Sequence, residues 1–152
     1  MTRIAELGPK FEHLPAILAE YDDDLANVEG HLQVKGKTLE QALKEQASWP
    51  FWYDDRRAEV KALLKFMESK VQAVRGKLAR QYVENYSRQL NERTMNAYID
   101  SEAEYLSISQ LYLEIDELYE KYTAVIDAFT KRGFALRDMT ALRIHSMENV
   151  ML

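Results

Sequence analysis

Two stretches of this 152-residue chain carry apolar side chains at alternating spacings of three and four, and this pattern restricts the fold more than any other feature of the sequence. The first stripe is Val60, Leu64, Met67, Val71, Val74 and Leu78, and the second is Ile108, Leu111, Ile115, Leu118, Tyr122, Val125 and Phe129. This spacing places the side chains along one side of an α-helix, at the a and d positions of a coiled coil. It predicts one long helix over about 51–87 and another over about 101–131.

Shorter helices are predicted on either side of these two. Pro15 to about Val28 has helical periodicity and precedes Gly30, where we expect the helix to end. Thr38 and Gln41 form a capping box for a short helix to about residue 47, after which Pro50 suits the first turn of the long helix. With few glycines and prolines and no alternating stretch, the sequence predicts an all-α fold.

The second half of the chain carries its own boundary signals. Asn91 is a candidate N-cap for a short helix over about 92–99. Gly133 has the position of a C′ cap that would end the second long helix. The apolar spacing after it predicts a last helix over about 135–148.

The narrow stripes of the two long helices need partner helices. They could close on each other as a hairpin with its turn near 87–92. The bulky side chains at 49–53 are too numerous for a two-helix pair, so we expect a homo-oligomer, with a monomeric bundle as the alternative.

Charge is segregated along the chain, although the net charge is only −5. Residues 1–55 have a net charge of −6, residues 56–93 of +6, residues 94–127 of −7 and residues 128–152 of +2. The basic block can attract polyanions, or it can pack beside the acidic helix that follows.

Signatures of enzymes are missing from the sequence. There is no cysteine, no glycine-rich phosphate loop, and no Glu-x-x-His pattern around the three histidines. We therefore expect a non-enzymatic protein without a metal or cofactor. The longest stretch without a charged side chain is nine residues, and no apolar leader is present, so we expect no membrane span and a location in the cytoplasm.

The basic block supplies candidate nucleic-acid ligands. Lys70, Lys77 and Arg80 fall on one face of the predicted helix, Arg75 lies on the other flank of its apolar stripe, and Tyr82 and Tyr86 follow one turn apart. One interpretation is single-stranded nucleic acid held by phosphate contacts and base stacking. The other is a coiled-coil flank with core tyrosines. Gly76 indicates a close approach to the backbone or a bend.

Three segments together resemble the UvsY-type recombination mediators of tailed phages. VIDAFTKRGFALRDM at 125–139 resembles the family's C-terminal signature, and AVRGKL at 73–78 resembles its stretch of two basic residues around one small residue. LEQA at 39–42, leading into Trp49 and Pro50, is similar to the layout of its N-terminal part. The resemblance covers about residues 39–143.

The resemblance implies a non-enzymatic ring of six or seven subunits in the cytoplasm of the host cell. Such a mediator binds single-stranded DNA and helps a RecA-like phage recombinase replace the phage single-strand-binding protein. The basic pair corresponds to Arg75 and Lys77 here, which with Lys70 and Arg80 form the predicted DNA-binding set. The predicted oligomerisation residues are Arg132, Gly133, Phe134, Leu136 and Met139.

Three segments are expected on this basis. Residues 1–37 form an acidic helical extension that the resemblance does not cover, residues 38–133 a helical core with the DNA-binding helix, and residues 134–152 an oligomerisation helix. The alternative from another class is a structural coiled-coil oligomer, such as a phage assembly scaffold, that does not bind DNA.

Overall fold

The computed structural model describes residues 3–8, 11–86 and 88–150, and within these ranges the chain is helical without a strand. A 3₁₀ turn at Arg3–Glu6 is followed by α1 (Leu14–Ala26), α2 (Val28–Leu32), α3 (Leu39–Asn85), α4 (Glu92–Ser101) and α5 (Ala103–Val150). The prediction of an all-α fold is confirmed. The predicted segments also include residues 1, 2, 9, 10, 87, 151 and 152, which lie outside the described residues.

Helices α3 and α5 form an antiparallel hairpin. The Gln46 side-chain amide donates to the Phe129 carbonyl at 2.8 Å near one end, and Arg75 donates to the Tyr105 hydroxyl at 3.2 Å toward the other. Helix α3 has 47 residues and so spans more than a dozen turns. The two apolar stripes pack against each other inside one chain. This is the hairpin that the spacing predicted as one way to bury them.

The N-terminal segment belongs to the same core. Leu14, Ile17 and Tyr21 of α1 are buried in one cluster with residues of α3 and α5. Tyr21 meets the Tyr122 ring edge to face at 6.1 Å, and the Tyr122 hydroxyl donates to the Tyr21 carbonyl at 3.1 Å. The described part of the acidic extension predicted over 1–37 therefore packs apolar side chains of α1 on the hairpin, and acidic side chains such as Asp22 are exposed.

Helix α3 runs through Pro50, so the two helices predicted at 38–47 and 51–87 are one. The capping box is confirmed, since the Thr38 hydroxyl accepts from the Gln41 amide and the Gln41 side chain accepts from the Thr38 amide. Pro50 removes the hydrogen bond to the carbonyl four residues earlier. The helix continues because residues on both sides of the proline, including Ala42 and Tyr53, are buried in the protein.

Two glycines predicted as helix ends lie inside helices. Gly30 is part of α2, and α5 passes through Gly133 without a break. A Cβ atom at Gly133 would lie 3.0 Å from the Gln46 side-chain nitrogen, so glycine serves close packing here rather than a left-handed turn. The predicted helix over 135–148 is helical, but as a continuation of α5. The prediction at Asn91 is confirmed, because its side chain accepts from the Thr94 amide at the start of α4.

The C-terminal part of α5 extends beyond the hairpin. Leu136 is buried, whereas residues 141–146 are all exposed. Since Arg132 already lies beside Ala42 near the start of α3, the residues after Leu136 have little of α3 left to pack on. We call residues 137–146 the overhang.

Candidate nucleic-acid interface and assembly surface

Arg75 is held on the α4 side of the hairpin. Its guanidinium donates to the Asn96 side-chain oxygen at 3.0 Å, to the Asp100 carboxylate at 3.2 Å and to the Tyr105 hydroxyl at 3.2 Å. The guanidinium carbon also lies 5.5 Å from the centroid of the Tyr105 ring. Arg75 thus ties α3 to both α4 and α5.

Lys77 makes an ion pair that is open to water. Its Nζ lies 2.9 and 3.0 Å from the two carboxylate oxygens of Glu104, and both side chains are about half exposed. Such exposed pairs contribute about 0–1 kcal/mol to stability and weaken with salt. A phosphate group can therefore compete with Glu104 for Lys77.

Lys70 and Lys77 border the same open groove between α3 and α5. Its volume is about 630 Å³, and Lys70 Nζ lies 4.9 Å from the centroid of the Phe66 ring. The groove is lined by Phe11, Lys70, Ala73, Val74, Lys77, Glu104, Ser107, Ile108 and Leu111.

The four predicted DNA-binding residues thus divide into two groups. Lys70 and Lys77 lie together at the groove, and Arg80 is exposed three residues beyond Lys77, with no ion pair in the described part of the chain. Arg75 lies on the opposite flank, as its position in the helical repeat predicted. Gly76 is exposed, and nothing within 4 Å would meet a Cβ atom there, so no close approach occurs within the described chain.

Three tyrosines meet where the hairpin turns. The ring centroids of Tyr82, Tyr86 and Tyr98 lie 5.6 to 6.1 Å apart. The Tyr82 hydroxyl donates to the Glu102 carboxylate, and this hydrogen bond raises the pKa of Tyr82 to about 12. The sequence indicated Tyr82 and Tyr86 but not Tyr98, because the docking of α4 carries no local signal.

Some of the predicted oligomerisation residues are buried inside the folded chain. Leu136 is buried, Gly133 is packed near Gln46, and Arg132 has only 6% of its surface exposed. Phe134 and Met139 are exposed, at 54% and 46%. Leu142 and Ile144 of the overhang are also exposed, so the end of α5 presents several apolar side chains that the described chain leaves open.

In the described part of the chain, Arg132 is bound to groups on two other helices, α2 and α3. Its guanidinium donates to the Leu32 carbonyl at 3.0 Å, the Ala42 carbonyl at 3.1 Å, the Gln46 side-chain oxygen at 2.8 Å and the Glu45 carboxylate at 3.1 Å. It joins α2, α3 and α5, so its side chain supports the surface that Phe134 and Met139 present.

A second aromatic cluster surrounds the proline of α3. His31 stacks on Trp49 with ring centroids 3.5 Å apart, and its Nδ1 lies 2.9 Å from the Tyr53 hydroxyl. Burial, together with the positive charge of Lys37, lowers the pKa of His31. Phe51 projects outward with 77% of its surface exposed. The surplus of aromatic side chains noted in the sequence is therefore partly core and partly surface.

Two further features concern metal ions and membranes. Within the described ranges, no three side chains of His, Asp or Glu are grouped so that they could hold a metal ion. No helix in those ranges has an apolar stretch long enough to cross a membrane.

Comparison with models of known protein families, with curated proteins and with solved structures finds no match to this chain.

Proposed function

We propose that this protein is a recombination mediator that assembles into a homo-oligomer and binds single-stranded DNA. In this role it helps a RecA-like recombinase replace a single-strand-binding protein on the DNA. The observation that carries the proposal is the placement of Lys70 and Lys77 at one open groove, with Arg80 exposed on the same flank of α3. The resemblance to UvsY-type mediators supplies the biological role.

The basic residues suit binding that does not depend on base sequence. Lysine and arginine side chains contact phosphates, and phosphate contacts carry no sequence information. Because DNA has to displace Glu104 from Lys77, we expect each subunit to bind weakly. Phosphate contacts release counterions, so we also expect the affinity to fall as the salt concentration rises. Weak binding at each subunit allows the strand to be released to another protein.

Assembly compensates for this weakness. The exposed apolar residues at the end of α5 are a surface on which copies of the chain can associate. An oligomer presents several basic flanks to one strand, so its total affinity exceeds that of a single subunit without any new kind of contact. If the oligomer binds DNA that carries one protein more tightly than DNA that carries a competing protein, it favours the first protein on the DNA. This shift needs no ATP.

The first test is a titration of labelled oligo-dT at increasing salt, followed by fluorescence anisotropy. Lys70→Ala with Lys77→Ala is expected to weaken binding and to flatten its salt dependence, with the oligomer intact, because both side chains line the groove. Lys61→Ala with Lys65→Ala is the matched control, because it removes two positive charges from an exposed face of the same helix. If the Lys70 and Lys77 variant binds like the control, the assignment of these residues is wrong.

A variant that strengthens binding gives a sharper test of Lys77. Glu104→Gln removes the carboxylate that competes with phosphate, so we expect tighter binding at low salt. Glu120→Gln removes an exposed carboxylate from the same helix and controls for the change in net charge. Equal affinities of the two variants would show that Lys77 does not contact the DNA.

The second candidate function is a structural coiled-coil oligomer, such as a phage assembly scaffold. It is favoured by the ion pairs Arg75–Asp100 and Lys77–Glu104, in which basic side chains of α3 are bound by acidic residues of the same chain. The absence of oligo-dT binding at low salt would support this candidate over the mediator.

A further inference from the structure

The turn of the hairpin carries an exposed aromatic surface formed by two helices. Tyr86 immediately follows α3 and Tyr98 lies on α4, with 47% and 39% of their surfaces exposed. Their rings are 27° from parallel, with centroids 6.1 Å apart, and Tyr82 lies against both. We call these three residues the tyrosine cluster.

The tyrosine cluster is held in place by polar contacts beneath it. The Tyr82 hydroxyl is bound to Glu102, and the Tyr82 side chain is half-buried. Arg75 binds Asn96 and Asp100, which lie on either side of Tyr98 along α4. These contacts fix α4 against α3, so the two exposed rings are preorganised before any ligand arrives.

A small cavity adjoins the cluster. Its volume is about 300 Å³. This is at the lower end of the range found for small-molecule sites, so the cavity has room for a single planar group. Arg88 is the one charged side chain among the described residues that line it. The lining residues are Tyr82, Val83, Tyr86, Arg88, Gln89, Leu90 and Met95.

We infer that the tyrosine cluster is a platform on which unpaired bases of single-stranded DNA stack, with Arg88 binding the adjacent phosphate. This inference rests on the proposed function and adds the site of base contact to it. Aromatic rings beside a basic side chain are the arrangement by which proteins bind single strands without reading their sequence. Arg80 and Tyr86 are about 9 Å apart along the helix axis but about 120° apart around it, so a strand that contacts both the basic flank and the platform has to pass around the end of the hairpin.

The test compares oligo-dT with an abasic oligonucleotide of equal length, using the full-length protein. The phosphates are the same, so a difference in affinity reports on base contacts alone. We expect the wild type to bind oligo-dT about ten-fold more tightly, within the range measured for one stacked base. Tyr86→Ala with Tyr98→Ala is expected to abolish this preference and to leave the salt dependence unchanged.

Two control variants show whether the aromatic rings cause the preference for oligo-dT. Tyr86→Phe with Tyr98→Phe keeps the rings and should keep the preference, and Phe51→Ala removes an exposed aromatic ring elsewhere and should not change it. Circular dichroism checks that each variant is folded.

The outcomes separate the platform from the proposed function. The platform would be overturned if the preference for oligo-dT survived in the variant Tyr86→Ala with Tyr98→Ala. It would also be overturned if the wild type bound both oligonucleotides equally. Neither result would contradict DNA binding itself. Failure to bind either oligonucleotide would overturn the proposed function and the platform together. A variant that keeps the preference but no longer associates with a recombinase would assign the cluster to a protein partner instead.

Discussion

Replacing Arg132 by alanine is expected to destabilise the fold by about 3 kcal/mol. Removing one partner of a buried ion pair costs about 3–5 kcal/mol, because the other charge stays buried. The lower end of this energy range applies here, because Glu45 is 29% exposed and keeps an ion pair with Lys37 at 2.7 Å. The carbonyl of Leu32 and the side chain of Gln46 also lose a charged donor, so α2 loses one of its attachments to the hairpin.

Urea unfolding followed by tryptophan fluorescence measures this effect. Trp49 is three residues from Gln46 and stacks on His31 of α2, so it reports on the region that Arg132 joins. With an m-value of about 2 kcal/mol per molar urea, the midpoint should fall by about 1.5 M. The protein concentration is held constant, because association shifts apparent stability.

Lys131→Ala is the matched control for this measurement. The Lys131 side chain is on the same helix, next to Arg132, and is exposed. Its loss should therefore change the free energy of unfolding by less than about 0.5 kcal/mol. Equal midpoints for the two variants would refute the role of Arg132 inside the subunit. A smaller assembly with unchanged subunit stability would instead place Arg132 in the interface between subunits.

Three further predictions concern single positions. Phe134→Ala should reduce the mass of the assembly in light scattering, whereas an unchanged mass would contradict a role for this exposed surface. Gly76→Ala should stabilise α3 by about 1 kcal/mol in urea unfolding, because the position is open, and no gain would show that the backbone is approached by another molecule. The lowered pKa of His31 means that the unfolded chain binds a proton more readily than the folded chain, so stability should decrease as the pH falls through about 6.5 toward the lower pKa of the folded state. His31→Gln should reduce this dependence in urea titrations, and an unchanged slope would assign it to other groups.

The spacing of apolar residues predicts the pairing of the long helices well, because burial on one side of a helix leaves a periodic record in the sequence. Helix ends are less predictable. Pro50 and Gly133 have strong local preferences for ends, yet tertiary packing overrides both. Tyr53 is buried on one side of the proline and Gln46 packs against the glycine, and neither contact can be seen along the sequence.

The candidate site could likewise be predicted only in part from the sequence. The helical repeat predicts that Lys77 and Arg75 lie on different flanks, and the structure agrees. The partners of these residues could not be predicted, because Asp100 and Glu104 reach them only through the turn and the docking of α4. Tyr98 joins the tyrosine cluster for the same reason.

The overhang of α5 has a consequence for the symmetry of an assembly. A projecting helical end that docks on a different surface of the next copy makes a heterologous, head-to-tail contact. Such contacts repeat from copy to copy, and they close into a ring or continue as a filament according to the rotation between neighbours. Because Arg132, Gly133 and Leu136 anchor α5 just before the overhang, its direction is rigidly set by the hairpin. In the proposed oligomer, small changes at these anchors are therefore expected to alter the number of subunits rather than their ability to associate.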